Sequence, residues 1–272
     1  MLKNHMVNDV KLLFWNLKRN SNEKWIAEVI RENDVDVAIF AEYKETSFSK
    51  VEELLQYDFT WHEGYGACDK VTIIAKKSVA VSVRREQNRY AIYYISIDSY
   101  NFIIAGVHLP APPTASASDR KDVIRDLVRD ICEQERKRKS YSTIVIGDFN
   151  CNPFDEEIVE KSAMNAVLFK QLIDNQEYVR HQEKQYRRFY NPTLHYLSET
   201  TQTYGSIYNS TGNAQIYWNS FDQIMVRKEL TDALKEVFYL TSINGKSLIK
   251  RIKPDDSISD HLPLLAVIEK GV

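Results

Sequence analysis

Residues 142–152, STIVIGDFNCN, constrain this chain more than any other stretch. Thr143, Ile144, Val145 and Ile146 are apolar or β-branched, the composition of a buried strand. Gly147 ends that run, and Asp148, Phe149 and Asn150 follow at once. A carboxylate and an amide at a buried strand tip are costly to leave unpaired. Side chains alternate along an extended chain, so Asp148 and Asn150 can point the same way. Together they can hold a water or a phosphate oxygen. Loops at strand ends are where chemistry is usually carried, and the active centre is expected here.

Other strands with polar tips surround this one in sequence. Residues 10–17 (VKLLFWNL) form a strand ending on Asn16. Asn20, Ser21 and Asn22 offer N-caps for a helix with Trp25, Ile26, Val29 and Ile30 on one stripe, stopped by Asn33 and Asp34. Residues 35–43 (VDVAIFAEY) are the next strand, with Glu42 at its far end, and 49–57 predict a short helix. Runs at 71–75, 79–83, 90–97 and 102–107 predict an antiparallel meander. The last ends at His108 and is stopped by Pro110, and 111–118 (APPTASAS) is a loop.

Residues 119–139 predict the clearest helix, with Val123, Ile124, Leu127, Val128 and Ile131 inward. Its closing run ERKRK is expected to be solvated, its cations suiting the helix dipole. A helical stretch is expected over 152–174. Residues 178–217 show no sustained period, which implies a functional loop region or a hidden hairpin. Strand character returns at 220–226, with Asp222 near its start, and again at 237–240. Residues 257–268 (SISDHLPLLAVI) set Asp260 and His261 before a last apolar strand. With no linker and no long repeat, residues 1–272 are expected to form one domain.

Charge alone neither requires nor excludes a nucleic-acid partner, because 36 basic residues face 38 acidic ones. The three cysteines show no metal spacing and no disulfide framework, which suits a reducing compartment. The opening MLKNHMVNDV has no export pattern, and no apolar run is long enough to span a bilayer. A soluble cytoplasmic protein, monomeric, with no membrane association and no obligate protein partner, is expected.

Asn16, Glu42, His108, Asp148, Asn150, Asp222, Asp260 and His261 thus all sit at strand ends. Each alone has an ordinary structural reading as a cap, a turn former or an ion-pair partner. Their order is more specific: FWN, AE, GVHLP, GDFN, FDQI and SDHLP, spread from Asn16 to His261. This series resembles the endonuclease/exonuclease/phosphatase superfamily, which includes deoxyribonuclease I and exonuclease III-type enzymes. The resemblance implies an α/β four-layer α-β-β-α sandwich, two face-to-face mixed β-sheets flanked by helices. It implies a Mg²⁺ or Mn²⁺ ion held by Glu42 and Asn16, with Asp260 near the metal or its waters; hard oxygen ligands suit both ions. Asp148 and Asn150 would orient the attacking water and the phosphate. His261 would contact the scissile phosphate or act as acid/base, with Asp222 fixing its ring, and His108 would contact the transition state or protonate the leaving group. Many members carry Gln before the metal-binding Glu; Ala41 stands here, which implies altered support rather than inactivity.

The activity so implied is metal-dependent hydrolysis of phosphodiesters, with nucleic acid, DNA or RNA, as the expected substrate. Its support is YVRHQEKQYRRFY at 178–190, where Arg180, Lys184, Arg187 and Arg188 interleave with aromatics including Tyr190. The structural reading of that segment is a solvated helix with its aromatics inward. The alternative activity is a phosphatase or phosphodiesterase acting on an inositol phosphate, a phospholipid headgroup or another small phosphoester. Inositol 5-phosphatases carry a PxWCDRIL-type motif, and YWNSFDQIMV at 217–226 lacks its Cys-Asp-Arg. A non-catalytic binding module is the third reading, against which stands the full set of polar positions.

Overall fold

The first two apolar runs become neighbouring strands because a helix carries the chain back between them. β1 (Asp9–Asn16) and β2 (Val37–Ala41) are parallel, with Asn16 opposite Ala41. Between them α1 (Glu23–Asn33) buries Ile26, Ala27, Val29 and Ile30 and ends at Asp34, in left-handed backbone with φ 51°. The computed structural model describes residues 9–20, 22–43, 48–112, 114–197, 204–211 and 216–270. Ser21 and the opening residues 1–8 lie outside those described.

After α2 (Phe48–Leu54), β3 (Phe59–His62) and β4 (Val71–Lys76) extend this sheet past β2. The chain then crosses to a second sheet. β5 (Ala80–Gln87), β6 (Tyr90–Ile97) and β7 (Tyr100–His108) are antiparallel neighbours. α3 (Ala117–Arg138), opened by a Ser116–Asp119 capping box, returns the chain so that β8 (Thr143–Asp148) lies parallel to β7. α4 (Glu156–Val159), β9 (Ala166–Val167) and α5 (Lys170–Asn175) follow. A hairpin of β10 (Tyr178–His181) and β11 (Lys184–Arg187) precedes β12 (Phe189–Tyr190) and α6 (Thr193–Tyr196). β13 (Ile207–Tyr208) and β14 (Trp218–Asn219) form a small ribbon before β15 (Asp222–Val226). β16 (Leu234–Tyr239) rejoins the first sheet. β17 (Ser242–Ile243) with β18 (Lys246–Ser247), and β19 (Ile249–Lys250) with β20 (Lys253–Pro254), are separate hairpins. β21 (Leu264–Glu269) closes the chain against β1.

The two large sheets are mixed. Their orders are β16-β21-β1-β2-β4-β3 and β5-β6-β7-β8-β15-β12-β9. Ile39 and Ile73 of the first share one buried cluster with Ile104, Ile146 and Ile224 of the second. Gly106 marks their closest approach: a Cβ there would lie 2.7 Å from Val71 Cγ1 and 3.1 Å from Ile39 Cγ2. α3 covers the other face of the second sheet, setting Ile124, Leu127 and Ile131 against Val145, Phe149 and Met225. The result is the four-layer α/β sandwich, two mixed sheets with flanking helices. Among the described residues, no helix is long and apolar enough to cross a membrane.

Four local expectations change. The run 71–75 is β4 and belongs to the first sheet, so the meander has three strands; alternation in sequence does not say which sheet a strand joins. The stretch 152–174 is not one helix. Asn165 takes left-handed backbone (φ 54°), and β9 pairs with β12 beyond it. Residues 178–190 are a hairpin and a short strand rather than a helix or an open loop. Finally, Glu135 is not solvated: it is buried, 2.8 Å from the equally buried Arg227.

Candidate active site

Topology brings six strand ends to one mouth. The parallel pairs β1/β2 and β7/β8 deliver Asn16, Glu42, His108 and Asp148 at their C-terminal ends. The antiparallel strands β21 and β15 start where those end, with His261 just before one and Asp222 opening the other. Asn16, Glu42 and His261 therefore come from the first sheet, and His108, Asp148 and Asp222 from the second. Each sheet supplies half of the polar set.

The halves meet at Asp148. Its Oδ2 accepts from Asn16 Nδ2 at 3.0 Å and lies 3.8 Å from His108 Nε2 and 4.0 Å from His261 Nε2. Its Oδ1 accepts from the Asn150 backbone N–H at 2.9 Å. His108 Nε2 also lies 3.6 Å from Glu42 Oε1, so one imidazole nitrogen faces both carboxylates. Glu42 and Asn150 take left-handed backbone, φ 52° and 50°. For Glu42 that is a strained conformation of the kind concentrated at functional sites. The Asn150 amide donates to Leu109 O at 2.9 Å, which fixes its side chain across the β7 and β8 ends.

His261 is built to stay cationic. Its Nδ1 is 2.7 Å from Asp222 Oδ2, and its backbone is pinned by Trp15 Nε1 donating to its carbonyl and by Ser259 Oγ. Burial alone would lower its pKa, but Asp222, Asp148 and Asp260 outweigh burial and push it up to about 10. Burial raises the Asp222 carboxyl while the imidazolium pulls it down. The second Asp222 oxygen is buried without a hydrogen-bond partner among the described residues, as is His108 Nδ1.

The donors suit a hard divalent cation. The Glu42 side chain is 29% exposed, and Asn16 Oδ1 accepts one bond, from Lys18 N at 3.0 Å, leaving a lone pair. Ligand atoms of Asp148, Asp222 and His261 also lie within 4.8 Å of one another. That cluster includes an imidazole held as a cation by Asp222, so the oxygen pair of Glu42 and Asn16 is the better match to a hard cation.

Asp260, paired with Lys18 Nζ at 3.1 Å, lies at the edge of this set, where its charge still reaches His261. The basic-aromatic segment is farther still. Tyr190 is opposite Val226, the other end of β15 from Asp222. Arg187 is buried, ion-paired with Glu177 and Glu229 and lying over the Tyr141 ring. Arg188 donates to Gln176, and Arg180 and Lys184 are exposed on the hairpin. None of Arg180, Lys184, Arg187, Arg188 and Tyr190 is brought to the mouth. Trp218, which opens the strand before Asp222, packs on Tyr204 and Tyr208.

Sequence reasoning missed the walls of the site. A cavity of about 540 Å³ beside Glu42 and His108 is lined also by Arg19, Tyr43, Lys70 and Arg89. Arg19 Nε is 3.7 Å from Glu42 Oε2, and Arg89 O accepts from the His108 backbone at 2.9 Å. These residues sit in loops and turns with no periodicity. Only charge marks Arg19, Lys70 and Arg89 in sequence. Ser206 and Tyr239 were missed too; they bond the backbone of Asp222 at 3.1 and 2.6 Å.

The fold has counterparts among known proteins. Residues 13–261 match the profile of the Endonuclease/Exonuclease/phosphatase family. A truncated Caenorhabditis elegans TDP2 is similar in fold at 15% identity and TM-score 0.62, over 96% of this chain and 97% of that one. The Bacteroides thetaiotaomicron mannosyl-6-phosphatase Bt3783 gives 12% and 0.61, over 95% and 99%. D. rerio TDP2 complexed with a single-strand DNA product gives 13% and 0.59, over 97% and 100%. No curated protein matches the sequence significantly.

Proposed function

The chain belongs to the Endonuclease/Exonuclease/phosphatase family, whose members are hydrolases acting on phosphoester bonds, and on that premise we propose that it is a divalent-metal-dependent phosphodiesterase acting on nucleic acid. The observation that carries this reading is the convergence of Asn16, His108 and His261 on one oxygen of Asp148. A carboxylate surrounded by an amide and two imidazoles can hold a water by hydrogen bonds and take its proton. The imidazolium of His261, kept charged by Asp222, faces the same point and offers Nε2 to a phosphoryl oxygen. His108, 3.6 Å from Glu42, would contact the leaving oxygen.

Glu42 and Asn16 would hold Mg²⁺ or Mn²⁺, which would supply positive charge to the phosphate when bound. Asp260 would stand behind them, near the ion's waters. Arg19, Lys70 and Arg89 line the cavity beyond Glu42; Asp69, also in its wall, pairs with Lys70 at 2.7 Å, which leaves the two arginines to suit an anionic substrate. The DNA-product complex of D. rerio TDP2, a protein of similar fold, supports the nucleic-acid reading.

A small phosphoester is the second reading. It is favoured by the cavity beside Glu42 and His108 and by the fold shared with a mannosyl-6-phosphatase. Purified protein with Mg²⁺ or Mn²⁺ is to be tested against plasmid, single-stranded DNA, RNA, inositol phosphates, a sugar phosphate and a generic phosphodiester. Chain cleavage is expected. Release of inorganic phosphate without chain cleavage selects the second reading, and activity persisting in both Glu42→Ala and His261→Ala overturns both.

A further inference from the structure

We propose a second anion-binding site, distinct from the catalytic mouth, that seats consecutive phosphates of a linear polyanion. It is a cavity of about 760 Å³ walled by Arg84, Lys137 and Arg138, with Tyr94, Asn101 and Gln134 between them. Arg84 is the extra residue of a bulge in β5, where the register shifts between Val83 and Arg85. Arg138 and Lys137 end α3.

The cations are set in place rather than scattered. The guanidinium carbons of Arg84 and Arg138 lie 4.5 and 4.6 Å from the centre of the Tyr94 ring. Arg138 Nη2 donates to Asn101 Oδ1 at 2.9 Å, and the Tyr94 hydroxyl donates to buried Gln134 Oε1 at 2.9 Å. Among the described residues, neither arginine has a carboxylate within ion-pair distance, and Lys137 has only Glu133. The C-terminal carbonyls of α3 account for some of this positive charge. They do not account for Arg84, which comes from the sheet.

The chemistry selects phosphates rather than bases. Tyr94 already engages two guanidiniums and packs against the buried cluster under α3, so a base would have to compete with both arginines for its ring. The cavity exceeds one phosphate, and its three cations can engage more than one. Asn101 is near the start of β7 and His108 at its end, so about 24 Å of strand separates this site from the mouth. A polyanion held here is held away from the chemistry. The site's existence does not depend on the catalytic reading.

The test is fluorescence anisotropy of a labelled single-stranded oligonucleotide over a salt series in EDTA, with tripolyphosphate as competitor. In Arg84→Ala/Arg138→Ala the affinity is expected to fall at least tenfold, and the slope of log K against log salt to flatten by about 1.4, for two phosphate contacts. Arg84→Lys/Arg138→Lys is expected to stay within about threefold of wild type, and Arg180→Ala/Lys184→Ala to be unchanged. Stronger binding of the oligonucleotide than of tripolyphosphate assigns the site to a nucleic-acid backbone, and the reverse assigns it to free oligophosphate. Wild-type affinity and slope in Arg84→Ala/Arg138→Ala, with turnover of a small phosphodiester intact, overturn the site and leave the catalytic reading standing.

Discussion

The His261 ring carries two consequences that can be separated by pH. Its pKa is raised in the folded protein to about 10, above the ordinary 6.5. A raised cationic group contributes stability that is fully present below about 6.5 and is lost as pH rises through about 10. In chelator, the melting temperature of the wild type is therefore expected to fall between pH 7 and 10. Asp222→Asn, which removes the principal charge holding the imidazolium, is expected to flatten that fall. The same substitution is expected to lower kcat/KM by about 10³-fold, because the ring loses its fixed orientation and its charge. A wild-type pH profile of melting in Asp222→Asn would sink the account. His261, Asp222 and Asp148 were legible in sequence because each sits where an apolar run starts or stops. Arg19, Lys70 and Arg89 were not, since an isolated cation in a turn looks the same whether it faces a cavity or bulk water.

At the scale of elements, the site depends on how closely β7 and β8 run. A Cβ on Gly147 would lie 2.1 Å from Val107 O, so Gly147→Ala must separate the strands where His108 faces Asp148. It is expected to cost about 3 kcal/mol in denaturant unfolding and to reduce activity disproportionately. Loop 63–70 is the second case. Buried Glu86 on β5 accepts from the backbone N–H of Tyr65 at 2.7 Å and of Ala67 at 3.1 Å, and the loop then delivers Lys70 to the cavity. Glu86→Gln is expected to speed amide hydrogen exchange across 64–70 and to raise KM several-fold with kcat within about twofold. Unchanged exchange would show that the loop holds itself. The hairpin of β10 and β11 teaches the opposite lesson. Its Arg and Tyr residues read as a nucleic-acid groove or an amphipathic helix, because composition cannot distinguish an arginine that meets phosphate from one that meets Glu177 and Glu229. Arg187→Ala is expected to lose about 2 kcal/mol of stability with catalysis of the remaining folded protein unchanged.

At the scale of the whole molecule, the polar mouth is the place where two sheets joined elsewhere by apolar packing are also joined by charge. Asn16 to Asp148, His108 to Glu42 and His261 to Asp222 each cross from one sheet to the other. Motif order along the chain made this legible in part, since the first two motifs and the last fall on one sheet and the three between them on the other. The sheet membership of β4 and the path of 152–190 were settled only by long-range pairing. A cation held by Glu42 and Asn16 would bind next to all three crossings, and these do not exist together in the unfolded chain. Binding to the folded state alone must then stabilise the whole domain, by about 2.7 kcal/mol at a hundred times its Kd. Adding Mg²⁺ or Mn²⁺ to metal-free protein is thus expected to raise the melting temperature by several degrees in one cooperative transition. Glu42→Gln is expected to abolish that rise while leaving the metal-free transition near the wild-type value, because Glu42 is partly exposed and its removal leaves no buried charge unpaired. A metal-induced rise that survives in Glu42→Gln and disappears in Asp222→Asn would move the cation to the Asp148, Asp222 and His261 cluster, and with it the roles drawn here for the two imidazoles.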